Sequence, residues 1–205
     1  MRKSRLITFA AAAASIAATL VAAPMASAAN DYFLKIDGIT GEATTGTTQG
    51  VIQVDGFEWG AENKVTIGSA TGGASAGKAS LNELTIEKHV DSTSPVLFQK
   101  LGQGASLGGM ELVARKAGAT GSQIYMRYSF QPVYLTSQTQ SGTPGDDGLT
   151  EKLVFTYGAV KQTFIKQTTT GAPGATVFGA WNQVTNSASM LIPGITDTSG
   201  TPRIN

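Results

Sequence analysis

A single histidine and no cysteine leave this 205-residue chain with little of the usual catalytic and metal-binding chemistry. His89 would have to be the base of any Ser-His-Asp triad. It ends a stretch, Leu84 to His89, in which Leu84 and Ile86 alternate with Thr85, Glu87 and His89. A period of two marks a strand with one buried face, and His89 falls on its polar side, beside Lys88 and near Asp91. That placement reads as a surface or interface histidine. Without thiols a zinc site would need mostly carboxylates, which zinc seldom uses. Asp146 and Asp147 sit in Pro144-Gly145-Asp146-Asp147-Gly148, where an ordinary turn explains them better than a calcium loop does. No pair of carboxylates stands out as a glycosidase acid and nucleophile. Gly72, Gly77 and Lys78 copy most of the phosphate-loop pattern G-x-x-x-x-G-K-[ST]. Ala79, however, lacks the hydroxyl that would hold Mg²⁺, and the loop leads into a strand where the motif needs a helix N-terminus. The sequence therefore predicts no catalytic, cofactor or metal site. A secreted hydrolase built on carboxylates is the enzymatic alternative it leaves.

The elements that carry these residues centre on Gly77 to Ala119. After the strand containing Leu84 and Ile86, the residues Ser94 and Pro95 suit a helix N-cap and first turn. Leu97 and Leu101 lie four apart on one face, Lys100 suits the negative end of the helix dipole, and Gly102 can stop the helix in the left-handed region. The expected helix has about two turns, too short to be stable unless its leucines dock. Met110, Leu112 and Ala114 then alternate along a further strand.

Outside this unit the pattern is also of strands. Tyr32, Leu34 and Ile36 share one face. From Val51 to Trp59 the apolar parity resets near Gly56, as at a bulge or a barrel corner. Lys64 to Ile67 is a short strand, and Ala43 to Gly50 and Gly68 to Gly77 read as loops. Ile124, Met126, Tyr128 and Phe130 form one apolar face; Pro132 then predicts an edge or a bend before Val133 and Leu135. Ser137 to Thr150 reads as a polar loop, Gly158-Ala159 as a bulge between Leu153-to-Tyr157 and Val160-to-Lys166, and Thr176 to Trp181 as the last strand. The structure from Asn186 onward stays undecided. About eight or nine strands and one side helix predict a mainly all-β domain, a barrel or two-sheet sandwich. The 25 glycines fit its many turns, and a net charge of +1 gives no electrostatic case for nucleic acid or an anionic membrane.

Met1 to Ala28 is expected to be an export signal. Arg2, Lys3 and Arg5 precede an uncharged Ala-rich run, and Ala26-Ser27-Ala28 has the small-x-small form of a cleavage site. Cleavage after Ala28 removes those three cations from the 15 basic residues and none of the 14 acidic ones, leaving a net charge of −2. The expected organisation is a signal peptide at 1–28, a barrel at 29–185 and a tail at 186–205. The mature protein is expected outside the cytoplasm with no stable membrane insertion.

Phe33-Leu34-Lys35-Ile36-Asp37-Gly38-Ile39-Thr40-Gly41-Glu42, Phe57-Glu58-Trp59-Gly60, the Gly77 to Ala119 unit, Glu151 to Lys166 and Ala180-Trp181-Asn182 together resemble the haemolysin-coregulated protein family, Hcp, over about residues 31 to 183. The resemblance implies a small antiparallel barrel with one side helix and no enzymatic activity. It also implies a partner that is the chain itself: a hexameric ring, stacked into a type VI secretion tube that carries effector proteins. On that reading Phe57, Trp59 and Val113 are candidate subunit-interface residues and Thr136 and Ser137 candidate lumen residues, with the loops at 43–50 and 68–77 between rings. A monomeric extracellular binding module on the same barrel is the alternative.

Overall fold

The computed structural model describes residues 30–45, 48–68, 73–118, 121–194 and 202–205. The expected signal, with Ala26 and Ala28, lies outside them. The chain runs through β1 (Asp31–Ile36), β2 (Ala43–Thr45), β3 (Thr48–Val54), β4 (Gly56–Glu58), β5 (Ala61–Gly68), β6 (Gly73–Leu81), β7 (Leu84–His89), α1 (Thr93–Gln103), β8 (Met110–Gly118), β9 (Gly121–Ser141), β10 (Thr150–Gln167) and β11 (Pro173–Asn182). One sheet holds nine of the strands in the order β2-β3-β1-β8-β9-β10-β7-β4, with β11 also on β10; β5 and β6 form a separate hairpin. The pairings are antiparallel throughout.

Chain connectivity forces this sheet to roll up. β3 lies near one end of the strand order and β4 at the other, yet only Asp55 separates them in sequence. The two ends must therefore meet, and the Asp55 N–H donates to the Glu87 carbonyl of β7 at 2.9 Å across the junction. The parity reset expected near Gly56 is this corner. Inside the roll Leu34, Ile36, Ile52, Val54, Leu84, Ile86, Leu112, Phe130, Leu153 and Phe155 form one core.

The helix closes that core from the side and differs in its ends from expectation. Ser92 is its N-cap, the Asp91 carboxylate accepts the Thr93 N–H at 2.9 Å, and Ser94 is buried within the first turn. Gly102 is inside the helix; Gly104, at φ 58°, ends it with its N–H on the Leu101 carbonyl. The helix has 11 residues, about three turns. Leu97 is fully buried and Leu101 packs against the same core.

Several expected boundaries dissolve into two long strands. β9 has 21 residues and β10 has 18, and the polar loop shrinks to the residues between Ser141 and Thr150. Residues 73–77 belong to β6 rather than a loop, and Gly77 is needed there because a Cβ would lie 2.4 Å from the Lys64 carbonyl oxygen at a bulge. Pro132 sits not at an edge but inside β9, between β8 and β10. It is tolerated because Gly158 stands opposite: a Cβ there would lie 2.9 Å from the proline ring and 2.7 Å from Ile192. The register continues unbroken past Gly158, with Tyr157 on Val133 and Ala159 on Gln131, so no bulge forms. Apolar parity nevertheless switches there, from Leu153, Phe155 and Tyr157 to Val160 and from Leu135 and Val133 to Phe130. The bulge lies instead at Thr136, which is the extra residue between Leu135 on Phe155 and Ser137 on Val154.

Gly158 and Pro132 thus form a matched pair. Gly158→Ala should lower stability by about 1–3 kcal/mol by overpacking, measured by urea unfolding. Adding Pro132→Ala should recover part of that loss, and strict additivity of the two substitutions would contradict the pairing.

Candidate assembly surfaces

Two strands and the helix start deliver charges to one buried point. Lys88 of β7 and Glu151 of β10 both have fully buried side chains, and Lys88 Nζ lies 2.7 Å from Glu151 and 2.8 Å from Asp91. Ser94 Oγ donates to Glu151 at 2.6 Å, and Gln138 and Gln140 of β9 donate to its other oxygen at 2.8 and 3.1 Å. Burial pushes the Glu151 carboxyl up, but the bonds from Lys88, Ser94, Gln140 and Gln138 outweigh it and hold the pKa below the usual range. Asp91 is lowered in the same way, burial being overcome by Lys88 and Thr93. Gln138 Oε1 is left without a partner, but Lys88 and Glu151 are each bonded on several sides, which describes a structural joint rather than a reactive centre.

An aromatic line closes one end of the core. Phe57 meets Tyr32 edge-on at 5.2 Å and Tyr128 at 5.7 Å, and Trp59 lies 5.6 Å from Tyr128. The Trp59 indole N–H donates to the Tyr157 hydroxyl, which donates onward to the Asn82 carbonyl at 2.7 Å. Burial pushes the Tyr157 pKa up to about 12 against that indole bond. Phe57 and Trp59 are half-buried and pack against the core of their own chain.

Val113 needs a correction. By register Phe33, Val113, Glu111 and Arg127 share the outer face of β1, β8 and β9, and Val113 is fully buried there beneath Ile204 of the same chain. A neighbouring subunit therefore cannot reach it while Ile204 is seated. Thr136 is exposed at its bulge, donating to Glu83, and Ser137 beside it is half-buried. His89 is exposed and pairs with Asp55 at 2.8 Å. Asp146 donates its N–H to Thr143 in an exposed turn, and Gly77-Lys78 lies within β6. Among the described residues no group of three or more His, Cys, Asp or Glu side chains is placed to hold a metal.

Large apolar side chains remain exposed outside the core, among them Val96 and Phe98 on α1 and Phe164, Val177 and Phe178 on the β10–β11 arm, with Tyr134, Leu149, Val184 and Leu191 elsewhere. Phe98 and Phe178 are 68% and 69% exposed. Sequence reasoning assigned neither, because Phe98 reads as part of a docking helix and Phe178 as an alternating strand residue.

A rolled antiparallel barrel with a buried ionic joint and exposed apolar side chains defines a structural protein. Residues 33–164 match the family described as type VI secretion system effector, Hcp, and the chain belongs to that family. It is 29% identical over 106 residues to Protein hcp1 of Pseudomonas aeruginosa, a stretch covering 51% of this chain and 65% of that protein, just under two thirds of its length. A solved structure of a type six secretion system protein superposes with a TM-score of 0.73 at 31% identity, covering 78% of this chain and 99% of that one. Hcp1 from Salmonella typhimurium follows with a TM-score of 0.63 at 28% identity, over 77% of this chain and 97% of that one.

The Lys88 joint sets a pH dependence. Asp91 and Glu151 have folded-state pKa values below their unfolded ones, so their contribution is complete above the unfolded values, near pH 4, and is lost as pH falls through the folded values. Lys88→Met should cost about 3–5 kcal/mol at pH 7 by leaving buried carboxylates uncompensated. Unfolding at pH 3.5, where the orphaned carboxylates take up protons, should show a smaller deficit. An equal deficit at both pH values would contradict the ionised joint.

Proposed function

We propose that this protein is an exported, non-enzymatic Hcp-type subunit that assembles with itself into a hexameric ring, the unit of a tube able to hold effector proteins. The single observation that carries this reading is that one rigid barrel exposes large apolar side chains in two separate regions. Phe98 lies on α1, and the cross-strand pair Phe164 and Val177, with Phe178 on the opposite face, lies on the β10–β11 arm. A ring is a head-to-tail assembly, and each copy must present two different complementary surfaces. Patches of this kind on a soluble domain mark contact sites. The close likeness to the type six secretion system protein, which this chain covers almost from end to end, supports the same architecture. Ring stacking would use the β2–β3 and β5–β6 hairpins, and the exposed Thr136 with Ser137 would face the lumen.

Export follows from the Ala-rich first segment and its Ala26-Ser27-Ala28 site. The mature chain is then released outside the cytoplasm, with no membrane segment of its own.

Light scattering and negative-stain microscopy of the mature chain should give annular particles of six copies. Phe178→Asp or Phe98→Asp should reduce the particle to single chains while changing stability by less than about 0.5 kcal/mol, because neither side chain is buried in the single subunit. A wild-type chain that stays monomeric at high micromolar concentration would overturn the ring. Amino-terminal sequencing of protein recovered from the medium should begin at Ala29.

A further inference from the structure

The outer face of β1, β3 and β8 holds a short peptide as a receptor holds a ligand. The peptide is this chain's own segment, residues 202–205, which reaches the barrel through residues outside those described. Ile204 is fully buried among Phe33, Val51 and Val113. The buried Glu111 carboxylate accepts the N–H groups of Arg203 and Ile204 at 3.1 and 2.9 Å, and Arg127 donates to the Ile204 carbonyl at 2.9 Å. The Arg203 guanidinium grips Asp37 with two bonds of 2.7 and 3.0 Å, and the Asn205 N–H donates to Thr48 Oγ1 at 2.8 Å. Backbone is read by Glu111 and Arg127, one side chain by an apolar socket and the next by a carboxylate. That division of labour is peptide recognition by backbone, socket and charge together, on a segment that bends at Arg203.

Every group of the receptor belongs to the barrel, and every group of the ligand lies on the far side of a separate stretch of chain. We infer that this groove is a separable acceptor site for a short peptide of the class cation followed by β-branched aliphatic, and that it takes the same segment of a second copy whenever its own is displaced. Charge complementarity identifies that occupant: Asp37 and Glu111 face Arg203, while the socket excludes a charged residue at the next position. Attachment on the same chain gives the resident segment an effective concentration of about a millimolar, so exchange between copies requires them to be held side by side. The acceptor site stands on these contacts alone and does not depend on the ring.

The test uses the full-length chain carrying Arg203→Glu and Ile204→Glu, which places negative charge against Asp37 and Glu111 and empties the groove. A fluorescent acetylated peptide of the sequence Thr-Pro-Arg-Ile-Asn stands in for the second copy. Polarisation should show saturable binding with a Kd in roughly the 10–100 μM range, reasonable for one buried side chain and a few charge-assisted bonds. Adding Asp37→Asn to that chain should weaken it about tenfold, and the wild-type chain, whose groove is filled, should bind at least about tenfold more weakly as well. No saturation on a variant whose circular dichroism and melting show a folded barrel, or equal binding of the scrambled peptide, overturns the site. Should the double variant not fold, Ile204→Ala, which only shortens the buried side chain, gives the same readout against wild type, and equal peptide binding by the two overturns the site.

Discussion

Burying an ion cluster is the constraint around which the subunit is arranged. Lys88, Glu151 and Asp91 come from β7, β10 and the helix start, and β9 contributes Gln138 and Gln140 to the same point. Removing these charges from water is costly, and only close contacts with well-placed donors offset it. Those donors exist in one arrangement of the four elements. An error of one residue in the register of β7 on β10 would turn Lys88 or Glu151 to the opposite face. The cluster thus acts as a register key: it adds little net energy over an apolar core but admits one alignment. Helix docking depends on it too, because Ser94 links the first turn to Glu151.

A second constraint comes from connectivity. With β3 and β4 a residue apart and at opposite ends of the strand order, the sheet has to roll, which buries one face completely. Its outer face over β1, β3 and β8 is also apolar, with Phe33, Val51 and Val113, and residues 202–205 cover it. Glu111 shows the cost of that cover. Burial raises its pKa despite Arg127 and the N–H groups of Ile204 and Arg203, so its titration opposes that of Glu151: its contribution is complete below the unfolded value and falls as pH rises through the folded one. The two buried carboxylates, Glu151 in the interior and Glu111 in the outer seat, therefore titrate in opposite directions, while Asp37, whose burial is outweighed by Arg203 and the Gly109 N–H, follows Glu151.

Much of the fold was legible because period-two alternation is local. The strands of Leu34 and Ile36, of Leu84 and Ile86, and of Met110 and Leu112, the single helix between them and the corner at Gly56 all follow from neighbours in sequence. What escaped depends on partners far away. Lys88 and Glu151 continue the apolar parity of Leu84 and Ile86 and of Leu153 and Phe155, which turns them inward, but 63 residues separate them, so nothing local names either one's partner. Ser94 has the residue type of a helix cap but is spent on Glu151 instead. Pro132 reads as an edge until Gly158 is seen across the ladder, and Val113 reads as free until Ile204 is seen above it. The family resemblance supplied the barrel as a whole, but not these pairings.

Covering the outer face from within separates folding from assembly. If Phe33, Val51 and Val113 were bare, a single chain would carry an apolar patch against a buried carboxylate, and a neighbour would be needed to satisfy both. Seating Ile204 there satisfies them in the isolated subunit. If the chain is exported as proposed and folds alone on the far side, such self-sufficiency serves it, since no partner is at hand when the barrel first closes. In the proposed ring, the contacts left for assembly are the ones folding does not use, Phe98 on the helix and Phe178 on the long arm. Neither is buried in the single subunit, so on that proposal substitution there acts on association and leaves the barrel intact.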